Sequence, residues 1–297
     1  MTAEPAGPRE RLIDLPHLRL AAQTWGDPAL PPLLALHGWL DNAGSFARLA
    51  PRLARQRHVI ALDLPGHGRS AHRPAGARYH FVDYVDTLLA AADTLGLAHF
   101  DLLGHSLGGA IASLAAVAAP GRVSRLALIE ALGPLADDGS RTLERFRDAH
   151  VARAGTAGKR LRVFADLDAA IAARVAGGGL DAAAARPIVE RGVRTVADGV
   201  VWSSDPRLTL PSPVHLAESQ VRALLAGLRT PTLLLLAVPE TPYLPAAMIA
   251  ARAAGVADLR ILHLAGGHHL QLDAADAVAE AVLAHLAPDH PVPDAPA

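Results

Sequence analysis

Phe100-Asp101-Leu102-Leu103-Gly104-His105-Ser106-Leu107-Gly108-Gly109-Ala110 runs from an apolar, strand-like segment through a glycine-flanked serine into a segment of helical character. Its centre is a G-x-S-x-G pattern. Glycines two residues either side of Ser106 remove side chains that would clash in a sharp strand-to-helix turn, and such a turn lifts the serine hydroxyl above the edge of a sheet where it can be attacked. Without its neighbours the pattern would read as a tight turn that only starts a helix. The strand before it and the helix after it favour a nucleophile at Ser106.

Working outward, short apolar runs end in glycine, proline or charge and alternate with segments of helical period. The strand-like runs are 33–36, 59–62, 100–103, 126–129, 232–236 and 259–264, preceded by a hairpin through 12–25. Helical segments fit at 81–95, 106–119 and 272–286. This is the pattern of an α/β domain whose mostly parallel sheet is flanked by helices. The alternation stops after Gly133 and resumes near Leu228, across a stretch rich in Arg, Ala, Gly and Asp. Helices are predicted there at 142–154 and 180–197, so residues 133–225 are expected to form a helical cap over the carboxyl ends of the strands. Residues 1–132 and 226–290 form the core, because the strands beyond Pro231 complete the first sheet instead of starting another. The proline-rich segment 291–297 has too little apolar surface to offset chain entropy and is expected to be a disordered tail.

A serine hydroxyl needs a base, and the base needs a carboxylate to orient it. In a strand–turn–helix arrangement of this kind the histidine follows the serine and the acid along the chain. Gly266-Gly267-His268-His269-Leu270 follows the last strand run, which makes His268 the candidate base and His269 the alternative. An acyl-transfer intermediate also needs two backbone N–H donors for its oxyanion. Leu107, directly after the serine, supplies one. Trp39 supplies the other, since His37-Gly38-Trp39 ends the strand run 33–36. Two glutamates stand at suitable strand ends, Glu130 after 126–129 and Glu240 after 232–236, and the residues alone leave both open.

With 28 Lys and Arg against 29 Asp and Glu, the net charge of −1 offers no basic footprint for nucleic-acid phosphates. No cysteine is present, which excludes disulfides, thiolate catalysis and Cys-ligated zinc. Residues 1–20 contain no apolar stretch of signal-peptide length, and no apolar run approaches the ~20 residues that span a bilayer. A cytoplasmic protein without a membrane anchor is therefore expected, monomeric or homodimeric.

Leu36-His37-Gly38-Trp39-Leu40-Asp41-Asn42, Asp63-Leu64-Pro65-Gly66-His67-Gly68 and Gly104-His105-Ser106-Leu107-Gly108-Gly109 together resemble the α/β-hydrolase superfamily, and within it the serine hydrolase-like proteins. The likeness extends through Trp202-Ser203-Ser204-Asp205-Pro206-Arg207 and on to Pro213, and through 266–270. It implies the α/β-hydrolase fold and a hydrolase of carboxylic esters or related acyl bonds, with a small-molecule acyl substrate and no metal or organic cofactor. In such relatives the strand after the nucleophile helix ends in an acid, which selects Glu130 over Glu240. Haloalkane dehalogenases also place an acid there but carry aspartate where this chain has Ser106, so the resemblance implies an acyl-serine and not halide displacement. The alternatives are a carbon–carbon bond hydrolase acting on a diketone, with the same triad, and a ligand-binding module that keeps the fold with little turnover. Phe146, Phe164 and Trp202 of the cap, with Trp39 and Phe46 of the core, are candidate pocket aromatics whose plainer reading is packing. Arg141, Arg145 and Arg147 read as a solvated helix face.

Overall fold

The computed structural model describes residues 7–155 and 161–287; the predicted tail at 291–297 lies outside the described residues. One eight-stranded sheet organises the chain. Its strands are β1 Arg9–Asp14, β2 Arg19–Trp25, β3 Pro32–Leu36, β4 His58–Leu62, β5 Phe100–His105, β6 Val123–Ile129, β7 Thr232–Val238 and β8 Leu259–Ala265, in spatial order β1-β2-β4-β3-β5-β6-β7-β8. The pairs from β4 to β8 are parallel, and β2 runs antiparallel to both β1 and β4.

Alternation along the strands splits the core in two, as a sheet covered on both faces requires. Leu34, Leu36, Ile60, Leu62, Leu102 and Leu128 face one side and bury against helices α1 Asp83–Thr94 and α2 Leu107–Ala118. Their sequence neighbours Leu33, Ala35, Val59, Ala61, Leu103 and Ile129 face the other. There they meet Val278 and Val282 of the C-terminal helix Ala275–Leu286.

Between β6 and β7 the chain adds three helices, α3 Thr142–Ala154, α4 Leu167–Ala176 and α5 Ala182–Gly192, with a small core of their own around Phe164, Ile171, Leu180, Ile188 and Val189. The helix predicted at 180–197 is corrected here: it ends at Gly192, and Val193–Val196 pairs with Gly199–Trp202 as a hairpin. Val-Arg-Thr-Val before Asp-Gly and Val-Val-Trp after it combine β-branched residues with a hairpin turn, a pattern that outweighed helical period. A further helix, α6 Glu218–Leu225, buries Val221 and Leu225 in the sheet core.

Polar anchors fasten this insertion to loops at the carboxyl ends of β3 and β4. Arg191 of α5 places Nε 2.9 and 3.0 Å from the two carboxylate oxygens of buried Asp63. Asn42 donates to the Ile188 carbonyl at 2.7 Å, and Ser203 Oγ to that of Gly68 at 2.7 Å. Asp205 accepts from Tyr79 and from the guanidinium of Arg207, which also donates to the carbonyls of Arg73, Pro74 and Ala77. Much of the Asp63–Gly68 and Trp202–Pro213 sequence is thus spent on docking the insertion to the loops after β3 and β4.

Candidate active site

The turn after β5 has little room. A Cβ on Gly108 would lie 2.1 Å from the Leu36 carbonyl oxygen, and one on Gly104 would lie 2.4 Å from that of Gly108. Only glycine lets α2 start this close to β3 and β5. Ser106 is held there at φ 51° and ψ −114°, with its N–H donating to the Ile129 carbonyl at 2.9 Å. Among the described residues three non-glycine residues have positive φ: Leu40, Ser106 and Glu130. Each such conformation costs about 1–3 kcal/mol and persists only where its surroundings enforce it. All three fall in this one region.

Ser106 Oγ lies 3.0 Å from His268 Nε2, and His268 Nδ1 lies 3.3 Å from Glu130 Oε2. The carboxylate fixes the tautomer: Nδ1–H donates to Glu130, leaving the Nε2 lone pair to accept from the serine hydroxyl. Glu130 is almost wholly buried at the end of β6. Burial pushes its carboxyl up, but hydrogen bonds from His268, Thr241 and the Ala237 N–H outweigh burial and hold it below the usual glutamate range. Thr241 Oγ1 and Ala237 N each donate at 2.7 Å. Thr241 escaped the sequence reading, since nothing in the pattern distinguishes it from a loop threonine.

Glu240 sits elsewhere. Its exposed carboxylate accepts from the Ala246 N–H at 2.7 Å, at the start of the helix Ala246–Ala253. His269, the alternative base, turns from the serine into the core and donates from Nε2 to Asp41 Oδ2 at 3.2 Å.

The loop after β3 passes directly over the turn: a Cβ on Gly38 would lie 3.4 Å from Ser106 Cβ and 2.9 Å from His105 Nδ1. Buried His37 orients that loop. Its Nε2 accepts from the Leu64 N–H at 3.0 Å, and its Nδ1–H donates to the Gly38 carbonyl at 2.7 Å. In a trans peptide the Trp39 N–H points opposite the Gly38 carbonyl, so His37 sets the direction of the candidate oxyanion donor. Burial lowers the His37 pKa to about 4, which keeps the ring neutral and this pair of hydrogen bonds intact. The Trp39 side chain is 54% exposed and donates to the Leu208 carbonyl at 3.1 Å.

Of the other predicted aromatics, Phe46 lies in the sheet core, and Phe164 and Trp202 pack edge-on in the insertion core at 5.3 Å. Phe146 is exposed against His150. Tyr243, which the sequence reading passed over, brings its exposed ring to 5.3 Å from that of His268. Arg141 pairs with Glu144, Arg145 with Asp137, and Arg147 is exposed.

One group beside the site has ligand atoms close enough to suggest a metal: Asp41, His105 and His269, all buried, within 4.8 Å of one another. Its chemistry is that of a hydrogen-bonded cluster. The Arg174 guanidinium lies 3.0 Å from Asp41 Oδ1 and 3.5 Å from His269 Nε2, so a cationic side chain already stands where an ion would be drawn.

Comparison with known proteins places the chain in a family. The chain is 31% identical over 288 residues to a probable serine hydrolase of Drosophila melanogaster, covering 92% of this chain and 86% of that one. It belongs to the α/β-hydrolase superfamily. A family model described as alpha/beta hydrolase fold matches residues 31–165. A serine hydrolase-like protein of Danio rerio is 30% identical over 288 residues, with 94% and 88% of the two chains covered. The solved structure of a hypothetical protein from Pseudomonas aeruginosa PAO1 superposes with a TM-score of 0.88 at 40% identity, over 93% of this chain and 99% of that one. The α/β fold described above is therefore that of a hydrolase family.

Proposed function

We propose that this α/β hydrolase is a serine esterase that cleaves a carboxylic ester or related acyl bond through an acyl-serine intermediate. The observation that carries the reading is the continuous line from Ser106 Oγ to His268 Nε2 at 3.0 Å and from His268 Nδ1 to Glu130 at 3.3 Å. His268 takes the Ser106 proton as the oxygen attacks the substrate carbonyl. The Trp39 and Leu107 amides hold the developing oxyanion, and ionised Glu130 stabilises the imidazolium. His268 then protonates the leaving oxygen. A water enters, gives its proton to the same nitrogen and attacks the acyl carbon, and His268 returns the proton to Ser106.

The insertion between β6 and β7 serves as a cap over the carboxyl edge of the sheet. Exposed Trp39, in the loop that passes over the serine turn, and Tyr243, beside His268, offer the acyl group an apolar approach. No step uses a cofactor. The three strained residues favour turnover over passive binding, because a binding module gains nothing from holding Leu40, Ser106 and Glu130 in costly conformations.

A fluorophosphonate probe tests the reading directly. Labelling confined to Ser106, abolished in Ser106→Ala and accompanied by turnover of p-nitrophenyl esters in a panel graded by acyl length, is the expected result. A folded wild-type protein that neither labels nor hydrolyses any member of the panel would overturn it.

A further inference from the structure

Asp41 lies at a convergence that the proposed mechanism does not use. It stands two residues after Trp39, and its own N–H closes the turn onto the Gly38 carbonyl at 3.1 Å, with strained Leu40 inside that turn. Its carboxylate accepts from His269, the residue after the candidate base. The same oxygen lies 4.0 Å from Nδ1 of His105, the residue before the candidate nucleophile. His105 in turn donates from Nε2 to the backbone carbonyl of His268 at 2.8 Å. The neighbour of the base thus bonds the Asp41 carboxylate, and the neighbour of the nucleophile bonds the backbone of the base, so the parts that carry nucleophile, base and oxyanion donor are linked around one buried carboxylate.

Its chemistry suits that place. Ser45 Oγ, His269 Nε2 and Arg174 give the carboxylate three side-chain donors, and Gln271 supports Ser45 at 2.9 Å. Arg174 comes from α4 of the insertion, so a charge from the cap neutralises the buried anion. A charge buried this deeply is costly unless fully paired, and a pairing this complete holds its partners in one arrangement.

Resting on the serine-esterase reading, we propose that Asp41 is a positioning residue for this reaction, acting through the His269 hydrogen bond to fix the loop that presents His268 to Ser106. Neither Asp41 nor His269 touches substrate. Losing their hydrogen bond lets the His268 loop drift relative to the serine, and a displacement of about 1 Å is enough for a loss on the order of 100-fold.

The test uses the full-length protein, the fluorophosphonate probe and one p-nitrophenyl ester. His269→Leu is expected to lower the labelling rate and kcat by about 10- to 100-fold with KM changed less than about threefold. His269→Gln, whose amide can still donate to Asp41, is expected to recover to within about threefold of wild type. In parallel, the downfield Nδ1–H proton resonance of His268 is expected to persist in wild type and His269→Gln and to be lost in His269→Leu, a readout independent of turnover. Should His269→Leu fail to fold, Asp41→Asn removes the charged acceptor in an isosteric side chain and is expected to show the same slow labelling. Wild type that does not label sinks the esterase reading. Wild type that labels, together with a folded His269→Leu that labels equally fast, or with Leu and Gln variants equally slow, sinks the role of Asp41.

Discussion

Acid should unfold this protein in a window set by its histidines. Burial is the main reason that His37 is lowered from 6.5 to about 4, and burial followed by the neighbouring His37 lowers His67 to about 3. His105 is also held well below its ordinary value, by burial first and then by His269 and His268. Each ring stays neutral in the folded protein over a range where the unfolded chain takes up a proton, so stability rises with pH there. It is complete above the unfolded value near 6.5 and declines as pH falls toward the folded values. For His37, linkage between about pH 8 and about pH 5 amounts to about 2 kcal/mol. His67 contributes about the same by that arithmetic, so these two rings bring the loss to about 4 kcal/mol, a large share of a typical unfolding free energy of about 5–15 kcal/mol, and His105 acts in the same direction.

Glu130 and Asp205, both held below the usual carboxylate range, stay ionised through this window; their contribution is lost only at lower pH, as it falls through their folded values. Urea unfolding followed by circular dichroism at about pH 8, 6.5 and 5 measures the effect. His67→Phe should flatten the dependence by about 2 kcal/mol, since it removes one of the titrating rings. An unfolding free energy constant to within about 1 kcal/mol from pH 8 to pH 5 would refute the assignment of these rings as buried and neutral.

Glu130→Gln should lower kcat for an ester by about 10²- to 10⁴-fold, as loss of the orienting acid does in a triad, whereas Glu240→Gln should leave it within about twofold. A larger loss at Glu240 in steady-state assays would reverse the choice of acid. Gly108→Ala should cost about 3 kcal/mol or more and abolish Ser106 labelling, because the new methyl meets the rigid Leu36 carbonyl; a soluble, fully labelled variant with an unchanged melting temperature would contradict the close approach. Trp39→Phe should label at a near-wild-type rate while losing about 1 kcal/mol in urea unfolding, since the backbone amide remains and only the bond to the Leu208 carbonyl is lost. A collapse of labelling in that variant would show that the indole itself takes part.

The sheet was legible because its signal is local. The parallel strands β3 to β7 are largely buried on both faces and read as short apolar runs, the edge strand β8 keeps enough apolar residues to be read as one, and the runs named from sequence fall within β3 to β8. The serine turn was legible for the same reason, because its glycines answer steric demands only a few residues away. The insertion was read less well: its short hairpin is marked by only two brief β-branched runs about an Asp-Gly turn, and alanine-rich neighbours mask them. Thr241 and Asp41 could not be found from local pattern at all. Each owes its place to contacts with residues more than a hundred positions away, Glu130 for one, His269 and Arg174 for the other.

That division has a physical cause that bears on the site. Ser106, His268 and Glu130 must sit at strand ends, and strand ends can be read from sequence. What holds them at bonding distance is a set of buried hydrogen bonds among loops, and a hydrogen bond between loops leaves no periodicity in the chain. The Leu40 turn shows the consequence: a leucine at φ 60° has no sequence signature, yet Asp41 closes that turn while its carboxylate binds the neighbour of the base and the insertion. The strain at Leu40 and the buried charge at Asp41 are each unfavourable alone. They persist together because each is fixed by the same contacts that align the serine with its histidine, so relaxing either one is expected to act on the reaction before it acts on the fold.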